Sequence, residues 1–135
     1  MNNSTKTKTI KITRVYAEQG KSLFGEVEVA TKAVDFAPPA PPCNVSAGIP
    51  AAQFQLWLQP PGWVGDWHCP PARLLFCLQA GEMGIEVSSG EQQQFSAGAL
   101  VLVEDKPGQG HRSWVVGNVP ARLVIIQLPE DALLK

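Results

Sequence analysis

The chain has 135 residues, of which 17% are charged, and a formal net charge of −1 at pH 7. This length suits one domain with one core, and the absence of a basic surplus excludes the electrostatic footprint of a nucleic-acid-binding protein. No apolar run approaches the ~18 residues of a membrane span, and the first residues lack the apolar stretch of a signal peptide. The three cysteines, Cys43, Cys69 and Cys77, have no CxxC spacing and are expected to be free thiols. The sequence therefore predicts a cytoplasmic protein with neither a nucleic-acid nor a membrane partner.

The N-terminal third predicts a frayed start followed by two strands. Residues 1–8 are polar and expected to be disordered or frayed, so the single domain is predicted over residues 9–135. Residues 9–17 and 24–31 alternate in the manner of β-strands. The prolines of APPAPP, residues 37–42, cannot continue a strand ladder and favour an extended surface crossing.

The rest of the chain reads as short strands between turn signals. The apolar residues Ala52, Phe54, Leu56 and Leu58 alternate with Gln53, Gln55 and Trp57, which predicts a half-buried strand that ends at residues 60–62. Residues 73–80 and 83–88 flank Gly81 and predict a hairpin. Further strands are predicted at residues 92–95, 100–103, 111–116 and 123–128. Strands at this spacing favour an all-β sandwich or barrel.

Two predicted strands are apolar on both faces, at residues 99–103 and 123–126. A strand with one face in water should alternate, so both faces of these are expected to be covered. In a small β domain the outer cover is either a second sheet or another subunit. The sequence therefore predicts a homodimer, since exposed apolar sheet faces rarely stay unpaired.

The spacing of glycines and histidines resembles the cupin family. Gly62 is followed by five residues and then His68, and Gly81 closes this first motif at the family's distance; Gly98 and His111 bound a segment similar to the second motif. The segment VED-x3-GxGHR also resembles a group of small bacterial cupins. The resemblance covers about residues 50–128. It implies an all-β, cupin-like double-stranded β-helix, that is, a jelly-roll barrel.

The chain departs from the family at most of its metal-binding positions. Pro70 stands where the second histidine belongs, and Leu74 replaces the glutamate. In the second motif, Glu104 and Val115 replace a proline and an asparagine. Only two of the four residues that usually hold a cupin metal remain, so the resemblance implies at most a weakly held divalent transition metal.

The two remaining ligands are His68 and His111, and a third ligand is expected to be Glu104 or Asp66. Asp66 shares the strand parity of His68, and Glu104 opens the loop that leads to His111. Glu104 and Asp105 are also candidates for orienting an imidazole through a hydrogen bond.

The sequence leaves three functions open. The first is a binding protein whose barrel pocket, lined by His68, His111, Leu74 and Phe76, holds a small polar organic molecule. The second is a metal-dependent enzyme of the dioxygenase or isomerase type, with a metal-free variant in which a histidine is the general acid or base. The third is a structural or partner-binding module with a vestigial pocket.

Other candidate side chains are an arginine and the tryptophans. Arg73 is predicted at the pocket, where it could recognise a carboxylate or phosphate through paired hydrogen bonds. Trp63 and Trp67 flank the turn before His68 and are candidates for an aromatic rim, although packing is their more frequent role. Trp57 and Trp114 lie on the polar faces of their strands and indicate an interface.

Overall fold

The computed structural model describes residues 8–132, and within that range it consists of strands and connecting loops. The frayed-terminus prediction covers residues 1–8. Residues 1–7 lie outside the described residues, and Lys8 is the first residue of the first strand. Eleven strands follow in chain order: β1 (Lys8–Glu18), β2 (Lys21–Val34), β3 (Cys43–Ser46), β4 (Gln53–Gln59), β5 (Val64–His68), β6 (Arg73–Ala80), β7 (Glu82–Val87), β8 (Gln92–Ser96), β9 (Leu100–Glu104), β10 (His111–Val116) and β11 (Ala121–Leu128).

The strands form two sheets that enclose one interior. The larger sheet has seven strands in the order β3-β2-β1-β9-β6-β11-β4, and the smaller has four in the order β5-β10-β7-β8. All pairings are antiparallel except that of β1 with β9. Side chains from both sheets meet in the core, as where Met83 and Val115 of the small sheet pack with Leu78 and Leu123 of the large one. The predicted all-β jelly-roll fold is confirmed.

The prediction of a hairpin at Gly81 is wrong, because β6 and β7 belong to different sheets. The chain crosses from one sheet to the other at Gly81, which has a φ of +82°. A Cβ at this position would lie 2.6 Å from the carbonyl oxygen of Pro120, so only glycine fits the crossing. The turn residue was identified correctly, but a turn signal alone does not say which sheet the next strand joins.

The N-terminal strands extend the large sheet. β1 and β2 pair in an unbroken register, and the turn between them consists of Gln19 and Gly20. Both turn residues have a positive φ, the backbone conformation that favours a two-residue β-hairpin. The proline-rich segment 37–42 lies between β2 and β3, which also pair antiparallel. It therefore connects neighbouring strands of one sheet.

The outer cover predicted for residues 99–103 comes largely from the chain itself. Val101 and Val103 of β9 face the interior, and Leu102 on the opposite face is also buried. The outer cluster around Leu102 includes Ile12 and Ala132, the latter from the segment that follows β11. A second copy is not needed to bury this strand, so the apolar run at 99–103 is no argument for a dimer.

No helix in the described residues is long and apolar enough to cross a membrane.

Candidate functional site

His68 and His111 lie side by side in the small sheet. β5 ends at His68, β10 begins at His111, and the two residues are direct partners in the antiparallel ladder. Their ring centroids are 4.9 Å apart, and the ring planes are inclined by 51°. The structure thus brings together the two histidines that the sequence singled out.

His111 is held by a buried carboxylate. The residue is 3% exposed, and its Nδ1 lies 2.8 Å from Oδ2 and 3.1 Å from Oδ1 of Asp105, which has no exposed surface. The hydroxyl of Ser22 donates a further hydrogen bond of 2.6 Å to Oδ2. Because an ionised carboxylate only accepts, Nδ1 of His111 is the donor in this contact, and in a neutral imidazole the lone pair then lies on Nε2. The orienting role considered for Asp105 is therefore present in the geometry, and it also fixes the tautomer.

The ring of His68 is also held through its Nδ1 atom, but by a backbone carbonyl group instead of a carboxylate. Its Nδ1 donates to the carbonyl oxygen of Asp66 at 2.6 Å, which again leaves Nε2 as the acceptor nitrogen. The side chain is exposed, in contrast to His111. Gly110 makes the pairing of the two rings possible, since a Cβ there would lie 2.2 Å from the carbonyl oxygen of His68. The loop that precedes His111 therefore has to carry glycine at this point.

Asp66 does not line the cavity, contrary to the parity argument. The pairing of β5 with β10 shifts between His111 and Ser113, so that residues 66 and 67 lie opposite a single residue of β10. Such a bulge breaks the simple alternation on which the prediction depended. The exposed carboxylate of Asp66 instead accepts a hydrogen bond of 2.8 Å from the backbone nitrogen of Trp67.

Glu104 and Arg73 also lie outside the cavity that the histidines line. Glu104 forms ion pairs with Arg14 (2.5 Å) and with Arg73 (3.0 Å) on the outer face of the large sheet. Arg73 additionally donates to backbone oxygens of the segment after β11, among them that of Pro129 at 3.1 Å. Alternation explains both positions, because the neighbouring residues Val103 and Leu74 face the interior. Arg73 fastens the C-terminal segment to the sheet and is not available to bind a ligand in the cavity.

The histidines open onto a cavity of about 190 Å³ between the sheets. Leu74 and Phe76, which the sequence assigned to the pocket, form part of its wall. The side chains that line it are polar or apolar but, apart from the imidazoles, not ionisable: Gln53, Gln55, Trp57, Gln59, Trp63, His68, Pro70, Pro71, Leu74, Phe76, Val103, His111, Ser113, Ile125 and Gln127.

The glutamine wall is the part of the site that sequence reasoning missed. β4 faces the cavity with Gln53, Gln55 and Gln59, while Phe54, Leu56 and Leu58 point outward and are 68%, 74% and 70% exposed. The predicted strand is present, but its buried and exposed faces are exchanged. The period of two was visible in the sequence, yet alternation alone does not tell which of two faces meets the interior.

The tryptophans divide between the cavity and the surface. Trp57, predicted at an interface, lines the cavity and packs edge-on against Phe76 with ring centroids 6.0 Å apart. Trp63 also lines the cavity, as one of the two interpretations had it. Trp67 and Trp114 instead flank the guanidinium of Arg112, each with its ring centroid 5.6 Å away. Only two of the four tryptophans therefore contribute to the site.

The donor set does not fit a resident metal ion. In the described residues no three His, Cys, Asp or Glu side chains lie close enough together to hold one. His68 and His111 supply two imidazole nitrogens, whereas catalytic first-row metal sites generally take about three protein ligands. Both proposed third ligands are accounted for elsewhere, Glu104 in ion pairs and Asp66 at the surface.

Without a metal ion, the site consists of a pair of imidazoles, those of His68 and His111, at the edge of a preformed cavity. Each imidazole has its Nδ1 fixed by an acceptor, and each Nε2 has no hydrogen-bond partner within residues 8–132. A histidine backed by a carboxylate, as His111 is by Asp105, can accept a proton from a hydroxyl group placed against Nε2. In the neutral form of each ring, Nε2 is thus a hydrogen-bond acceptor at a defined position beside the cavity.

No protein-family model and no curated protein matches the chain. Solved structures similar to it include protein NMB1881 from Neisseria meningitidis, which is 12% identical with a TM-score of 0.43 over 96% of this chain and 89% of that one. They also include the cupin domain of Cnp3 from Schizosaccharomyces pombe, which is 11% identical with a TM-score of 0.49 over 91% and 84% of the two chains. Both TM-scores lie below 0.5, so neither likeness carries an argument about this chain, and the description of its fold rests on its own two sheets and their strand order. At these identities the likeness concerns the fold alone, and we take no function from either protein.

Proposed function

We propose that the chain binds a small polar organic molecule in the cavity beside His68 and His111. The observation that carries this proposal is the convergence of two fixed imidazoles on a preformed space of about 190 Å³. Binding sites of this kind are concave, mostly apolar and equipped with a few polar groups that orient the ligand. The proposal needs no metal ion, which agrees with a cavity whose only metal-binding side chains among the described residues are the two imidazoles.

A ligand screen of the full chain tests this proposal. Ligand-observed NMR with a library of small carboxylic acids, amines, nucleobases and polyols should identify saturable binders. Their affinity should fall in His68→Ala, which removes an exposed imidazole without opening the core. The matched control is Gln94→Ala, an exposed polar truncation on β8 away from the cavity, which should bind normally. Binders that do not distinguish the two variants, or a library without binders, would contradict the proposal.

We also propose that the chain forms a homodimer, through a surface that keeps the outward residues of the predicted run 123–126 and adds those of β4 in place of the run 99–103. Phe54, Leu56 and Leu58 form an outer apolar row on β4, which is an edge strand of the large sheet. Val124 and Ile126 of β11 lie beside this row in the ladder. An exposed apolar row on an edge strand favours association, and a two-fold axis places the same row on both copies.

Sedimentation at micromolar concentration tests the dimer. The wild-type chain should sediment as a dimer and Leu56→Glu as a folded monomer, because a carboxylate would be buried without a partner in the interface. A charge placed elsewhere on an exposed strand position, as in Gln94→Glu, serves as the control and should leave the dimer intact. A monomeric wild-type chain would remove the proposal.

The cysteines support a reducing compartment, and we propose the cytoplasm. Cys43, Cys69 and Cys77 are all free. Burial raises the pKa of the Cys77 thiol, which keeps it protonated and unreactive. Titration of denatured, unreduced protein should find all three thiols, and a disulfide in freshly prepared material would argue against this location.

A further inference from the structure

The cavity presents hydrogen-bond acceptors that lack donors. Gln59 is 5% exposed and lines the cavity, and its carbonyl oxygen Oε1 has no hydrogen-bond partner among the described residues. The Nε2 atoms of His68 and His111 are acceptors as well, since both rings carry their hydrogen on Nδ1. A buried acceptor without a donor is destabilising, so Gln59 is a group for which a ligand donor would compensate.

The donors that these acceptors require have to be uncharged. No Lys, Arg, Asp or Glu lines the cavity in the described part of the chain. An ammonium group would satisfy the acceptors but would find no carboxylate, and a carboxylate or phosphate would find neither a guanidinium nor an ammonium. Because a charge taken out of water without a partner costs much free energy, neutral donors are favoured. Hydroxyl groups have this chemistry.

Hydroxyl groups also accept hydrogen bonds, and the glutamine wall supplies the donors. The indole Nε1 of Trp57 donates to the carbonyl oxygen of Gln55 at 3.1 Å, which orients that amide and leaves its NH₂ group to donate. Gln53 and Gln127 bring two further amides to the same cavity. Trp63 and Phe76 supply apolar surface for the carbon skeleton of a ligand.

The volume limits the size of the occupant. A cavity of about 190 Å³ holds about six water molecules at ~30 Å³ each. This is room for a single ring with its substituents and less than the volume of a drug-sized site. Resting on the proposed function above, we propose that the cavity binds a neutral polyhydroxylated ring of the size of one monosaccharide or cyclitol, with hydroxyl groups donating to Gln59 Oε1 and to the imidazole Nε2 atoms.

The experiment is an NMR titration of the full chain that follows the histidine and tryptophan side-chain nitrogens. The neutral probes are glucose, galactose, mannose and myo-inositol, and the charged counterparts are glucuronate, glucosamine and glucose 6-phosphate. At least one neutral probe should bind saturably, and each of the three charged probes should bind about tenfold more weakly than that probe or worse, equivalent to roughly 1.4 kcal/mol. Gln59→Leu should weaken the neutral probe by a similar factor, whereas Gln94→Leu, the same change on the exposed face of β8, should not.

Each alternative outcome decides against the proposal in a distinguishable way. Preferential binding of a charged counterpart overturns the ligand class and leaves small-molecule binding intact. The same holds if no neutral probe binds while other compounds of the wider library shift the His68 resonances. If no compound of any class shifts them, the proposed function fails together with this inference. Binding of a neutral probe that Gln59→Leu does not weaken removes Gln59 as the acceptor and overturns the assignment.

Discussion

The interior has two halves that differ in packing, although four strands, β6, β9, β10 and β11, border both. Toward the ends of the strands that carry the histidines, β6, β10 and β11 border a cavity of about 190 Å³. Past the layer of Phe76, His111 and Ser113, the same strands leave a gap of only about 20 Å³. The packed half is filled by Leu78, Met83, Ile85, Val101 and Leu123 and by other apolar side chains.

The difference comes from residue type together with topology, since β4 and β5 border only the open half and β7 and β8 only the packed half. Leucine, isoleucine and methionine fill the space between two sheets, whereas Gln, His, Ser and Pro in the open half leave space with polar groups around it. Stability should therefore depend on the packed half, and ligand binding on the open half. Substitutions that are matched between the two halves test this division.

The largest change in the free energy of unfolding is expected when a leucine side chain of the packed half is truncated to alanine. Leu123 is 2% exposed, so Leu123→Ala should lower the free energy of unfolding by about 3 to 5 kcal/mol through lost burial and a new cavity. Leu74→Ala, at a wall that already borders open space, should cost less, about 2 kcal/mol. Urea denaturation measures both. Equal losses would show that the two halves contribute alike to stability.

A smaller loss is expected when the His111 support is weakened. Asp105→Asn keeps the shape but removes the charge that accepts from both His111 and Ser22, and should lower the free energy of unfolding by about 2 kcal/mol. Asp66→Asn is the matched control, because that carboxylate is exposed and contacts only the neighbouring backbone nitrogen. It should change stability by less than about 0.5 kcal/mol. An Asp105→Asn protein as stable as the wild type would show that the buried carboxylate does not hold the ring in solution.

The smallest expected effect is a gain in the free energy of unfolding, opposite in sign to the losses above. Gln59→Leu removes a buried oxygen that has no partner among the described residues and should raise the free energy of unfolding by about 1 kcal/mol. Gln94→Leu, at an exposed position, should leave it within about 0.5 kcal/mol. Thermal and urea unfolding without added ligand check both variants. Destabilisation by Gln59→Leu would indicate that the amide already has a partner in the free protein.

The sequence predicted the elements better than it predicted their faces. The glycine and histidine spacing identified the fold and brought His68 and His111 together, because a ladder fixes which residues lie opposite each other. Strand parity also explains Leu74 and Phe76 at the cavity, and applied strictly it would have excluded Arg73 next to Leu74. In a regular strand, local pattern was therefore sufficient to tell which residues share a face.

The errors have two physical causes. The bulge in β5 depends on pairing with β10 and left no mark in the local alternation, so Asp66 was assigned to the wrong side. On β4 the alternation was correct, but a polar row that lines a cavity has the same period as one that faces water, so Gln59 was overlooked. Only the partner strands decide which row faces inward.

The central claim is that both imidazoles offer Nε2 as an acceptor to whatever occupies the cavity. Long-range ¹H–¹⁵N correlation spectra of the two histidine side chains, recorded in mildly alkaline buffer with and without a bound probe, test this claim most directly. We expect both rings in the Nδ1–H tautomer in the free protein, and we expect both Nε2 resonances to shift when a ligand binds. A ring in the Nε2–H tautomer, or Nε2 resonances that remain unchanged while a probe saturates the protein, would contradict the account.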